Sequence, residues 1–332
     1  MSQFEIVRWS AVDIYQSLGR LGVPLFVMLT GILLLQPSKL EEPIRVFFRK
    51  RGARVVIPFI FWIGIYFAWD FFVDHQINNQ AISSSSIIQG ILNGPYLHFW
   101  YLYMLIGLYL LTPILRIVIA HAERNLIKYL LVIWFLGASI FPLLNLFGPY
   151  ELNSFVFTIP EFAGYFILGI YLLNVKITRS TLGIFLFIGV ALTSIGTYAM
   201  SATVGGGKAY FFQEYFSPTI ILASIMLFLL LNTVQQPSIQ QPPSKIEESP
   251  KMPSSSRSRK LIRVISENTL PIYLLHLIIL DCLWRGYFGF TLNGNTLNSI
   301  IGVPLATVIT LFICLAIIVP LKRVPILKKL IG

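Results

Sequence analysis

The chain has 332 residues, 56% of them hydrophobic and only 12% charged, with a mean hydropathy of +0.75. Two soluble domains of ~150 residues each, the ordinary expectation at this length, are therefore excluded, and the chain belongs in a bilayer. Lys and Arg outnumber Asp and Glu 25 to 14, giving a formal charge of +11, but these cations lie between long apolar runs, so they report membrane topology and exclude nucleic acid as a partner.

A crossing helix needs ~20 mostly apolar residues, because each adds ~1.5 Å against ~30 Å of hydrocarbon, and only helices or closed barrels satisfy every backbone group there. The runs are long and continuous, which predicts an all-α polytopic membrane helix bundle of nine spans. In chain order these are Ile14 to Leu35, Val55 to Val73, Phe99 to Ala120, Tyr129 to Leu146, Phe155 to Leu173, Leu182 to Met200, Phe216 to Val234, Ile262 to Trp284 and Ile300 to Val319. The first and eighth have the shortest dense apolar parts, and each contains a proline, Pro24 and Pro271.

Basic content alternates from one connecting segment to the next, and this sorting fixes orientation. The segment after the first span holds Lys39, Arg45, Arg49, Lys50, Arg51 and Arg54, whereas the next, Asp74 to His98, holds none. Continued along the chain, the alternation puts 21 of the 25 cations on one side and leaves Arg8, Arg20, Lys208 and Arg285 on the other. The C-terminus is thereby read as cytoplasmic. Nine spans then place the N-terminus outside, although Met1 to Asp13 lacks the basic and apolar regions of a signal peptide. The reading expects a further helix upstream of Met1; the alternative is a short, weakly charged N-terminus that translocates unaided.

The stretch from Gln235 to Lys260 is rich in Gln, Pro and Ser and cannot bury enough apolar surface to fold alone. It divides the chain into a seven-helix membrane block, residues 1–234, a disordered cytoplasmic linker, residues 235–260, and the last two helices with a basic tail, residues 261–332. No internal repeat is evident. The two cysteines, Cys282 and Cys314, both lie inside apolar runs, which excludes a disulfide framework, a Cys-based zinc site and a CxxC redox motif; no metal is expected.

Ionisable groups at membrane depth are costly, so each is a candidate for function. Arg49, Lys50, Arg51 and Arg54 crowd the inner end of the second span. Guanidinium forks bind phosphates in bidentate fashion, and Arg51 and Arg54 share a face if that helix begins early, although anionic head groups alone explain such a cluster. Asp70, Asp74 and His75 mark a solvated outer end. His98, Trp100 and Tyr101 open the third span, either as an interfacial aromatic belt or as a stacking floor for a sugar. Glu161 follows Pro160 at the start of the fifth span, where the helix dipole favours an acid. His276 lies ~12 Å inside the eighth span, and Thr269, Tyr273 and His276 line one face. Such a stripe braces a bundle or performs acid-base work. Asp281, about 140° around the helix from His276, is no intrahelical partner for it.

Together these segments resemble acyltransferase family 3, the bacterial inner-membrane acyltransferases of envelope glycans. The resemblance runs through GVPLFVMLTG (22–31), RGARVVIP (51–58), HFWYLYMLIGLYLLTP (98–113), GYFILG (164–169) and IYLLH (272–276), and makes residues 1–320 together one acyltransferase-like domain. It implies a cytosolic acyl-CoA donor, acetyl-CoA above all, whose phosphates meet Arg51 and Arg54 with Arg49 and Lys50 nearby. It also implies an acceptor hydroxyl on an outer-face saccharide or lipid-linked glycan, met by His98, Trp100 and Tyr101. The family's general base is a histidine on its first helix, about ten residues after an arginine. Here Arg8 is followed by no histidine until His75, and the first span matches the family's second. The base is thus expected upstream of Met1, in a ten-helix protein, with His276, Tyr273 and Glu161 as candidates within the chain. The competing readings are a transporter or flippase of a lipid-linked or small organic substrate, a non-catalytic membrane scaffold, and an inactive truncated homologue.

Overall fold

The computed structural model describes residues 3–77, 84–147, 160–204, 207–234, 257–292 and 297–332. These residues form fifteen α-helices and no strand: α1 Gln3–Arg20, α2 Gly22–Leu34, α3 Ile44–Arg51, α4 Ile57–Ile77, α5 Ser84–Asn93, α6 Trp100–His121, α7 Arg124–Phe135, α8 Phe141–Phe147, α9 Glu161–Leu172, α10 Arg179–Thr203, α11 Pro218–Val234, α12 Arg257–Glu267, α13 Thr269–Arg285, α14 Ser299–Leu321 and α15 Pro325–Ile331. Seven helical stretches among the described residues are long and apolar enough to cross a membrane, or eight if the bent pair α12 and α13 counts as one. The chain is an all-α polytopic membrane protein. The predicted fifth span is described only from Pro160 onward, as the 12 residues of α9; residues 155–159 lie outside the described residues, as do 235–256 of the predicted linker.

Two of the crossings contain a wide π turn, at Gly52–Val56 between α3 and α4 and at Leu136–Ile140 between α7 and α8. Each turn stands just ahead of a proline, Pro58 and Pro142. A proline inside a helix has no N–H to donate, and its ring collides with the carbonyl four residues back, here that of Arg54 or Ala138. Widening the turn relieves both problems without breaking the rod.

The eighth predicted span requires correction. Rather than one rod from Ile262, the chain bends by 81° between α12 and α13. Arg259, Lys260 and Arg263 cannot enter hydrocarbon, Asn268 leaves helical geometry at φ −119°, and Pro271 lies in the first turn of α13, where a missing N–H costs nothing. The Asn268 amide donates to the Val264 carbonyl at 2.7 Å, serving an orphaned end of α12. α12 itself spaces Leu261, Ile262, Val264 and Ile265 among its cations, the pattern of a helix that lies in the interface plane. It includes residues 257–260, the last four of the predicted linker.

The described chain forms two compact units, Met1–Glu42 with Leu110–Gln241 and Pro43–Tyr109 with Pro242–Gly332. They cut across the seven-helix block read from the sequence. In the first unit α2 and α9 meet backbone to backbone. A Cβ on Gly31 would fall inside the Phe166 carbonyl and one on Gly169 inside that of Met28, so these glycines set the separation, as small residues do in membranes. The buried Arg116 closes one end of this unit, donating from Nε to the Leu34 carbonyl at 2.7 Å and pairing with Glu42 at 3.1 Å. In the second unit the core gathers Val55 of the π turn and Phe59, Trp62 and Tyr66 of α4 with Leu102 and Leu105 of α6, Leu274 and Ile278 of α13, and Cys314 of α14.

Gly169→Leu is expected to destabilise the protein by about 3 kcal/mol or more through overpacking, read as a lowered thermal transition in detergent. Gly107→Ala, whose Cβ would meet nothing within 4 Å, leaves that transition unchanged or raises it.

Candidate active site

The second unit draws together residues that lie far apart in sequence. Ahead of α6 the chain turns at Gly94, whose φ of +89° suits glycine and whose Cβ would press on that of Phe99 at 2.6 Å. Tyr96 is then extended, and Leu97–Phe99 form a 3-10 turn. This turn buries His98, only 8% exposed. The ring of Tyr66 from α4 lies 5.1 Å from that of His98; the rings of Tyr273 and His276 from α13 lie 5.4 and 5.6 Å away. Phe99 completes the wall at 4.6 Å, and Tyr101 stands edge-on to Tyr273 at 5.4 Å.

Two hydroxyls lock α13 onto these neighbours. Tyr273 donates to the His98 carbonyl, and Tyr66 donates to the Leu274 carbonyl at 2.8 Å. His276 places Nδ1 2.6 Å from the Tyr273 carbonyl. A carbonyl only accepts, so Nδ1 carries the proton and Nε2 keeps its lone pair. His98 is different: both ring nitrogens are buried without a hydrogen bond of ordinary geometry. The Leu274 carbonyl, which accepts from Tyr66 and keeps a second lone pair, lies close enough to interact with the ring. Buried polar groups without partners are rare in native proteins.

The sequence reading set His98 at the outer rim and His276 deeper. The structure sets them side by side, because the turn before α6 folds inward against Tyr66, 11 residues from the end of α4, and His276, nine from the end of α13. At ~1.5 Å per residue both lie well inside their helices. Trp100 stands 6.2 Å from Tyr101, ring to ring, and Tyr101 in turn meets Tyr273. Tyr66 escaped the sequence reading, although a tyrosine in the middle of an apolar span was the available signal. Near the end of α13 Asp281 accepts from Trp69 at 3.1 Å and from Arg285 at 2.8 Å. Burial first, and then the Asp70 carboxylate, push the Tyr96 phenol above its ordinary range. The side chains of Asp74 and His75 lie outside the described residues.

The basic cluster occupies the other end of this unit. Helix α3 does begin early, at Ile44, and Arg54 lies inside the π turn that follows Arg51. Arg51 is half-buried, its guanidinium carbon 5.8 Å from the Phe47 ring and its Nε buried without a partner. Phe47 stands edge-on to Tyr109 at 6.2 Å. Arg49, Lys50 and Arg54 are exposed. Along the α4 rod Arg51 and Tyr66 are 15 residues apart, ~22 Å at ~1.5 Å per residue.

Glu161 belongs to the first unit. It is exposed in the first turn of α9, where the dipole favours an acid, and its backbone carbonyl accepts from the Trp134 indole at 2.6 Å. The same unit holds a buried carboxylate that the sequence reading missed. Asp13, 4% exposed, accepts from the Gln213 amide at 2.6 Å. Among the described residues no three His, Cys, Asp or Glu side chains gather as metal ligands would.

A family model for an acyltransferase domain matches residues 2–319 of the chain. No curated protein and no solved structure matches it. Tyr66→Phe and Tyr273→Phe, each of which strips one hydroxyl bridge between α13 and a neighbouring segment, are expected to lower stability by about 1 kcal/mol apiece, measured by thermal unfolding of the purified protein.

Proposed function

Because the chain belongs to acyltransferase family 3, we propose that it moves an acyl group, acetyl above all, from cytosolic acyl-CoA to a hydroxyl of an outer-face saccharide or lipid-linked glycan. The observation that carries this reading is Arg51. A half-buried guanidinium with an unpaired buried Nε, walled by Phe47, suits an anionic ligand, and charge-assisted bonds to phosphate are among the stronger ones available. Arg54 adds a second cation on the next turn, with Arg49 and Lys50 as an exposed attracting rim.

The sorting of 21 of 25 cations to one side supports an inner-membrane protein whose C-terminus and donor end face the cytoplasm. Trp100 and Tyr101, the latter edge-on to Tyr273, offer aromatic faces on which a sugar stacks. In the reaction the acceptor oxygen attacks the thioester carbonyl carbon, the carbon-sulfur bond breaks, and the hydroxyl proton passes to a base.

Isothermal titration of CoA into detergent-solubilised protein tests the donor end. Arg51→Ala and Arg54→Ala are each expected to weaken binding by about 10- to 100-fold, as the loss of a bond worth roughly 1.5–3 kcal/mol implies. The exposed Arg49→Ala changes it by no more than a few fold. Undiminished binding in the first two variants sinks the donor assignment.

A further inference from the structure

We propose that α12 and the corner between α14 and α15 together form a binding site for anionic phospholipid, with α12 lying flat in the bilayer surface. The inference is independent of the acyl-transfer reading. At ~100° per residue, α12 sorts its side chains into two faces. Val264, Leu261, Ile265 and Ile262 follow one another over ~160° of its circumference, while Ser266, Arg259, Arg263, Glu267 and Lys260 occupy the remainder. Leu261 is 43% exposed and Ile262 65%, so this part of the apolar face is uncovered. The helix axis turns by 81° from that of α13. A crossing α13 therefore leaves α12 close to the membrane plane, where its aliphatic side chains reach the acyl chains and its cations meet the head groups.

The other half of the site comes from the end of the chain. Lys322, just past α14, donates from Nζ to the Glu267 carbonyl at 3.2 Å, which ties that corner to the last residue of α12. Helix α15 then folds back: Ile331 is buried, and its carbonyl accepts from the Trp62 indole at 3.4 Å. Arg323, Lys328 and Lys329 stay exposed, beside the exposed Val324 and Ile326. Residues 259–268 and 322–332 hold seven Lys and Arg and one acid, Glu267, which Arg263 already pairs at 2.8 Å. Burial first, and then the Lys328 charge, lower the Lys322 ammonium from its ordinary value, so these cations crowd one another without matching carboxylates. A surface that sets cations beside exposed aliphatic side chains fits a head group together with its chains, whereas a soluble anion would leave the aliphatic groups in water. Because Asn268 alone separates α12 from α13, a head group held here also steadies the base of α13.

The test uses the full-length protein in detergent, with phosphatidylglycerol or phosphatidylcholine titrated in and bound lipid counted by native mass spectrometry, and in nanodiscs of phosphatidylcholine alone or mixed equally with phosphatidylglycerol. The wild type is expected to prefer phosphatidylglycerol by about 10- to 100-fold and to unfold at a higher temperature in the mixed discs. The triple variant Arg259→Gln, Lys260→Gln, Arg263→Gln, altered only at exposed positions, keeps the wild-type transition in phosphatidylcholine discs and loses about tenfold or more of the preference. Arg323→Gln, Lys328→Gln, Lys329→Gln lowers the preference in the same way. Spin labels attached through Leu261→Cys or Arg263→Cys, with Cys282→Ala and Cys314→Ala, read the depth of α12: the label at 261 meets oxygen dissolved in the bilayer, and the label at 263 meets an aqueous nickel chelate. Equal affinity of the wild type for the two lipids, an unchanged preference in the triple variant, equal access of the chelate to both labels, or the same stabilisation by inorganic phosphate overturns the proposal.

Discussion

In hydrocarbon no water stands ready to pair a polar group, so every buried donor must find its acceptor in the protein. This chain meets that demand by a recurring device, in which an aromatic or guanidinium donor on one segment reaches a backbone carbonyl on another. Tyr66 reaches Leu274, Tyr273 reaches His98, Trp62 reaches Ile331, Trp134 reaches Glu161, Tyr165 reaches Tyr215 and Arg116 reaches Leu34. Such bonds order helices whose apolar faces alone discriminate little between a neighbour and a lipid tail. Among the described residues the exceptions include Arg51 Nε, the ring nitrogens of His98 and the hydroxyls of Ser139 and Thr310.

The spans were legible because membrane thickness imposes a length that few other constraints mimic, and the apolar runs around α6, α10 and α14 satisfy it plainly. Helix α12 was not legible as a separate element. Leu261, Ile262, Val264 and Ile265 extend the apolar run of α13 backward, and only their intercalation with Arg259, Lys260 and Arg263 betrays an interfacial helix. The motif glycines illustrate another limit. Gly31 and Gly169 carry the family resemblance, yet their duty is the close approach of α2 and α9, which no spacing within either motif reveals.

For the site, the sequence supplied the residue types but not their meeting. His276 was legible from its depth and His98 from its aromatic company, but contact between segments 178 positions apart depends on the inward turn at Gly94 and on hydroxyl bridges that have no sequence signature. Tyr66 was overlooked because a tyrosine amid Phe and Ile raises apolar character rather than breaking it. Asp13 was overlooked because the first span was drawn from Ile14, whereas the helical crossing begins at Trp9 and takes the carboxylate inside.

The wide turn at Gly52–Val56 has a consequence for how this protein can vary. A π turn behaves as one residue too many in a regular helix, so it uncouples the phase of α3 from that of α4. The stripe of Val55, Phe59, Trp62 and Tyr66 stays aimed at the core, while Phe47 and Arg51 take a heading of their own. Losing or gaining one residue there would swing the whole basic collar around the rod by ~100° and leave the membrane-embedded stripe where it is. The turn is thus a joint at which evolution can re-aim the basic end without rebuilding the crossing.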